Sequence, residues 1–207
     1  MIENKLDLSR NILACSRKIN MKKLYCDLEF TGLHKKAEPI SIALLSEDGK
    51  NSFYAEFTDF DANQINPWLK RNVIDNLLIQ NNQPPFHRIL GSHWELLGDC
   101  KFVIKGEYGL VAWLKQTYGK NRVTLTSFGA SYDWVLLRQL LLDADLDPMD
   151  YFEVYPYDVA SVFQYYGLCP NNNGEKEKYA EMRGQKHNAL FDTKAVRAID
   201  QKLEALR

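Results

Sequence analysis

Residues 24 to 30 read Leu-Tyr-Cys-Asp-Leu-Glu-Phe, and this heptapeptide restricts the fold more than any other stretch of the chain. Side chains alternate across a strand, so Leu24, Cys26, Leu28 and Phe30 share one wholly apolar face while Asp27 and Glu29 share the other. The apolar face needs a covering layer. The acidic face carries two carboxylates that repel each other and lose hydration wherever a second layer covers them. A divalent cation between them removes both penalties, and hard oxygen ligands suit Mg²⁺ or Mn²⁺. The alternative is a solvated strand end.

The pattern around this strand is that of an α/β domain. Residues 22–30, 40–46 and 51–57 are short and β-rich, and Glu47-Asp48-Gly49 gives a hairpin signal between the last two. These are expected to be three consecutive antiparallel strands. The long segment 58–105 is too long for a plain connector and is expected to cover something. Within it Asn66-Pro67 opens a helix, as N-cap and first helical position, running to about Ile79, and Pro84-Pro85 ends regular structure. A helix over 107–118 with Gly119 as its stop, a strand over 122–128, a helix over 132–143 and a strand over 152–157 follow. Asp158 reads as the N-cap of a further helix, 171–174 as a loop and 189–206 as a long final helix. The order β-β-β-α-β-α-β-α-α implies a mixed five-stranded sheet, an antiparallel meander of three strands plus parallel strands, with helices on its faces. Residues 1–20 mix charges with short apolar pieces and lack the continuous apolar stretch of a secretory signal. They read as an N-terminal extension to a domain spanning 21–207.

Composition narrows the function classes. The 207 residues are 45% hydrophobic and hold no apolar run of about 18, so no membrane-spanning helix is expected. Cys15, Cys26, Cys100 and Cys169 form no C-x-x-C pair, which fits a reducing, cytoplasmic setting. A net charge of −1 argues against coating long nucleic acid through a broad basic face, but not against gripping a few nucleotides.

Three more residues join the acidic strand. Asp192, Val196, Ile199 and Leu203 follow one helical stripe, the stripe that should pack on the sheet. An acid on a buried stripe needs a partner, although a carboxylate at a helix N-terminus is favoured by the dipole in any case. His187 lies five residues earlier and cannot share that face within one helix, so it belongs in the loop leading in. There it is free to act as a general base near neutral pH. Asp133 follows a strand and falls in the first turn of the next helix, where an acid also has an ordinary electrostatic reason to be.

Together, Asp27-x-Glu29, Asp133 and His187-x-x-x-x-Asp192 resemble the DEDDh branch of the DnaQ-like 3′–5′ exonucleases, which have a ribonuclease H-like fold. The first motif, Asp27-Leu28-Glu29-Phe30-Thr31-Gly32-Leu33, is similar to D-x-E-T-T-G-L, with Phe30 where threonine is usual. His187-Asn188-Ala189-Leu190-Phe191-Asp192 is similar to H-x-A-x-x-D. A sister branch carries tyrosine four residues before the last acid, and here that residue is Asn188. Tyr132-Asp133-Trp134-Val135 resembles small exoribonucleases of the exoribonuclease AS type and departs from proofreading subunits.

The resemblance implies that Asp27, Glu29, Asp133 and Asp192 hold two Mg²⁺ or Mn²⁺ ions about 3.5–4 Å apart, with His187 as base. It implies a single-stranded RNA or DNA 3′ end as partner, nucleoside 5′-monophosphates as products, and a homodimer. Thr31 and Gly32 would approach the terminal sugar. Leu33 would wedge against the terminal base or, alternatively, belong to the core. Lys35, Lys36, Arg183 and Lys186 are candidates to meet phosphates. The competing readings are a DNA 3′–5′ exonuclease, a ribonuclease H-type endonuclease, a two-metal phosphatase, and a non-catalytic nucleic-acid-binding module that keeps the fold.

Overall fold

A computed structural model of the chain describes residues 22–79, 82–170 and 175–206. The extension 1–20 and the loop expected at 171–174 lie outside the described residues. The strands are β1 (Lys23–Phe30), β2 (Pro39–Ser46), β3 (Ser52–Phe57), β4 (Phe86–Leu90), β5 (His93–Gly98), β6 (Thr124–Ser127) and β7 (Tyr157–Asp158). The helices are α1 (Pro67–Asn72), α2 (Cys100–Lys105), α3 (Leu110–Tyr118), α4 (Ala130–Asp143), α5 (Val159–Tyr165), α6 (Glu175–Ala180) and α7 (Ala189–Glu204). One mixed sheet runs β4-β5-β3-β2-β1-β6-β7. The β1–β2, β2–β3 and β4–β5 pairs are antiparallel. The β3–β5, β1–β6 and β6–β7 pairs are parallel.

The alternation in β1 builds the layers. Leu24, Cys26 and Leu28 enter a core with Ile42, Leu44, Phe53 and Leu96, covered by Val103, Trp113, Leu137 and Leu141 of α2, α3 and α4. Tyr25, on the opposite face, packs with Val196, Ile199 and Leu203 of α7 and Phe163 of α5. Asp27 and Glu29 continue the Tyr25 face toward the end of the strand, beneath the start of α7. Parallel pairing of β1 with β6 runs only from Lys23↔Thr124 to Tyr25↔Thr126. Beyond it the two strands no longer bond, and a cleft opens at their C-terminal ends, the usual place for a site in such sheets.

The sheet has seven strands where five were expected. The two additional ones form the hairpin β4–β5 within the 58–105 segment, closed by Gly91-Ser92 with Gly91 at φ +64°. Gly-Ser is a two-residue hairpin turn, and β5 extends the sheet by pairing with β3. Pro84-Pro85 therefore directly precedes a strand rather than ending regular structure. Asn66 caps α1 as expected, its side chain accepting from the Leu69 N–H at 2.9 Å. The helix ends at Asn72, however, and a 3₁₀ turn at Ile74–Asn76 replaces its expected continuation. The strand expected over 152–157 is reduced to a bridge between Val123 and Phe152 and the two residues of β7. Asp158 is the N-cap of α5 and also accepts from the Gly129 N–H at 2.9 Å, which ties the start of α4 to β7.

Candidate active site

The four expected acids line one cleft of about 470 Å³ at the open end of the sheet, together with Glu177. Asp27 and Glu29 project from β1, and Asp192 comes down from the first turn of α7. Each of these three offers an oxygen within 4.8 Å of the others. Val196, Ile199 and Leu203 are fully buried below Asp192, so the apolar stripe of α7 holds that acid over the strand. Asp133 lines the same cleft without joining the tight group of three. Its Oδ1 accepts from the Leu28 N–H at 3.1 Å, a donor left free where β1 and β6 part, and its Oδ2 accepts from the Ser127 hydroxyl. These bonds fix the first turn of α4 against β1 and β6.

His187 lies just before α7, in the loop, as its spacing requires, and lines the cleft. It has φ +56°, a conformation in which histidine is one of the more tolerated residues. Its backbone N–H donates to Asp192 Oδ2 at 2.9 Å, so loop and acid are positioned together. The ring edge meets Trp68 of α1 with centroids 4.8 Å apart. The Asn188 side-chain amide donates to the Asn76 carbonyl at 2.9 Å, and the Asn188 oxygen caps α7 at the Phe191 N–H. Part of the long 58–105 segment thus braces the loop that carries His187.

The electrostatics follow from crowding. Burial, and then the charge of Asp192, push the Asp27 carboxyl well above its ordinary range. Burial and Asp192 likewise raise Glu29 to about 8. Burial raises Asp133 to about 6, against the lowering effect of its bonds from Ser127 and Leu28. His187 is held below its ordinary value by burial, helped by Lys176 and Lys186 and opposed by Asp192. Its imidazole is neutral near pH 7 and can accept a proton. Lys176 of α6 reaches into the acids, its Nζ 3.1 Å from Asp192 Oδ1. Burial opposes its charge, but Asp27 and Asp192 outweigh burial and raise its pKa. Close carboxylates with suppressed ionisation and an all-oxygen donor set fit Mg²⁺ or Mn²⁺.

The residues expected to meet substrate divide. Leu33 is 68% exposed at the cleft, which removes the core alternative. Thr31 is buried; its hydroxyl donates to Gln64 Oε1 at 2.7 Å and accepts from the Glu38 N–H at 3.0 Å, so it shapes the turn after β1. Gly32 lies against the His34 ring, which a Cβ would meet at 2.8 Å. Neither Thr31 nor Gly32 lines the cleft, whereas Lys186 does and pairs with Glu177 at 3.0 Å. Lys35 lines an adjoining groove instead. Sequence reasoning missed Lys176, Ser127, Phe128 and Trp68. Of these only Ser127, at the end of a strand aimed at Asp133, left a local signal.

None of the curated proteins matches the chain. Solved structures align with the chain at low identity, two of them as follows. A 3′-exonuclease solved in specific recognition of a histone mRNA stem-loop 3′ end aligns with a TM-score of 0.57 and 13% identity, over 96% of this chain and 71% of that one. S. pombe Pop2p, in a form with Mg²⁺ and Mn²⁺ bound, aligns with a TM-score of 0.48 and 15% identity, over 95% and 87%. At 13% identity the first shows a common fold. The model of the 3′-5′ exoribonuclease Rv2179c-like domain matches residues 22–202, from just ahead of β1 into the last turns of α7 and across all four acids and His187, and the chain belongs to that family of 3′–5′ exonucleases.

Proposed function

We propose that the protein removes nucleotides one at a time from the 3′ end of single-stranded RNA, releasing nucleoside 5′-monophosphates, with two divalent ions held by Asp27, Glu29, Asp133 and Asp192. The convergence of Asp27, Glu29 and Asp192 within 4.8 Å, with Asp133 and His187 on the same cleft, carries this reading. Bound divalent ions supply Lewis acidity at the scissile phosphate and its attacking water, and neutralise the developing charge.

The remaining roles fall to the chain itself. His187, neutral and at the cleft, takes the proton of the attacking water as the new P–O bond forms and the P–O3′ bond breaks. Asp192 fixes the loop that carries it, and Trp68 limits how far the imidazole can swing. Phe30 and Tyr132 stack with centroids 6.0 Å apart beside exposed Leu33, a surface suited to a sugar and base. Leu33 and Tyr132 also wall a second groove, lined by His34, Lys35, Val135 and Gln139, which supports a path for the preceding nucleotides. Lys186 is placed to meet a phosphate.

The test is incubation of 5′-labelled single-stranded RNA and DNA with protein and Mn²⁺ or Mg²⁺. A ladder that shrinks from the 3′ end is expected, faster on RNA, and absent in Asp27→Ala, Glu29→Ala, Asp133→Ala and Asp192→Ala. Cleavage of a circular strand would instead assign an endonuclease, and an inert wild-type protein a binding module. Among the described residues no helix is long and apolar enough to cross a membrane. A cytoplasmic homodimer is the working expectation, with light scattering as the check on its assembly.

A further inference from the structure

The clustered acids already hold a cation of the chain's own. Lys176 Nζ lies 3.1 Å from Asp192 Oδ1, its side chain is only 19% exposed, and it stands 5.4 Å from the centre of the Phe128 ring. Lysine is seldom buried to this degree without an acidic partner. The other lysine lining the cleft, Lys186, is 45% exposed and engaged with Glu177. Lys176 is therefore the ammonium that answers the charge of Asp27 and Asp192. Its backbone belongs to α6, a six-residue helix that packs through Ala180 and Tyr179 into the core beneath α7. Asp27, Glu29 and Asp192, by contrast, stand on β1 and the long final helix.

We propose that Lys176 is a built-in counter-ion: its ammonium stabilises the carboxylates of the metal-free site, competes with divalent ions for them, and so sets how tightly metal binds. This rests on the reading of the acids as a metal site. An ammonium and a divalent ion cannot both sit against the same carboxylate oxygens without mutual repulsion, and the long flexible lysine stem allows withdrawal into the cleft while α6 stays in place. Metal loading is then an exchange of cations rather than the filling of a bare acidic cluster.

The experiment uses the full chain with Lys176→Met and Lys176→Arg, both checked for folding by circular dichroism. Mn²⁺ binding is measured by calorimetry at one pH for all three proteins, in two buffers of different ionisation enthalpy, so that the protons released on binding are counted. Lys176→Met is expected to lower the melting temperature of the metal-free protein and to tighten Mn²⁺ binding about tenfold, while Lys176→Arg stays close to wild type in both. Acetylation of Lys176 in the wild-type protein, followed by mass spectrometry, is expected to be slow without metal and faster once Mn²⁺ is bound. Unchanged or weaker Mn²⁺ binding in a folded Lys176→Met protein overturns the proposal, as does acetylation that Mn²⁺ does not accelerate. A wild-type protein that binds no Mn²⁺ would overturn the metal-site reading itself, which makes the two failures distinguishable.

Discussion

Glu29 concentrates the residue-scale physics. Burial, and then Asp192, lift its carboxyl from 4.5 to about 8 in the metal-free protein. A raised carboxyl pKa means that the folded chain binds this proton more tightly than the unfolded chain. Between pH 4.5 and 8 the folded state carries the extra proton, so stability falls as pH rises across that window, and the loss is complete above it. The metal-free melting temperature is therefore expected to drop from pH 5 to pH 8.5 by differential scanning fluorimetry, with a flatter profile in Glu29→Gln. Metal binding has the opposite dependence, because a cation must displace that proton. The rise in melting temperature caused by Mn²⁺ should grow over the same interval.

His187 is separable from the acids. Its backbone N–H positions Asp192, but its ring holds no place among the clustered oxygens. His187→Ala keeps that N–H and should slow turnover about 10²–10⁴-fold, the usual worth of a positioned base, while leaving the Mn²⁺-induced shift intact. Since burial lowers the imidazole pKa, the acid limb of the wild-type rate profile attributable to this group should fall below pH 6.5. Single-turnover rates across pH in both proteins check the assignment, and a retained acid limb in His187→Ala would give the base role to another group.

At the scale of elements, α7 is fixed to the sheet at both ends. Its first turn delivers Asp192. Near its end, fully buried Asp200 accepts from Lys23 Nζ at 2.5 Å and from the Tyr25 hydroxyl at 2.8 Å, both on β1. Burial disfavours the Lys23 charge, but Asp200 and Glu204 outweigh it and raise its pKa. Asp200→Ala would leave a part-buried ammonium with half-exposed Glu204 and the Tyr157 ring and should destabilise the fold by about 3–5 kcal/mol, read from urea unfolding in EDTA. If the clamp is only structural, the residual folded protein keeps its Mn²⁺ affinity.

The same element shows what a sequence can disclose. The stripe Asp192, Val196, Ile199 and Leu203 was legible because helical periodicity and burial coincide, and the β1 alternation was legible for the same reason in a strand. The β4–β5 hairpin was harder to see, because Phe86-His87-Arg88-Ile89-Leu90 is an edge strand with mostly exposed or half-buried side chains. Its Gly91-Ser92 turn was the readable cue. Lys176 was not legible at all. It owes its place to α6 folding back on α7, a tertiary contact that no local pattern around residue 176 encodes.

For the molecule as a whole, the net charge of −1 poses a question that the site answers. A polyanionic strand approaches a protein with no overall attraction for it, so affinity must come from the cleft, from bound divalent charge, and from a few lysines and aromatic faces. Single-stranded nucleic acid releases about 0.7 counterion per phosphate neutralised. If Lys35 and Lys186 are the main phosphate contacts of the chain itself, binding should weaken with salt along a log–log slope of about −1.4. A broad basic face making six or more contacts would give about −4 or steeper. Fluorescence anisotropy of a labelled RNA oligomer on His187→Ala protein, at fixed Mn²⁺ and between 50 and 300 mM KCl, measures this slope while turnover is slowed about 10²–10⁴-fold. A slope near −1.4 that flattens in Lys35→Ala would place the preceding nucleotides in the groove beside Leu33 and Tyr132. A slope unaffected by Lys35→Ala would send the strand out along the Lys186 side of the cleft.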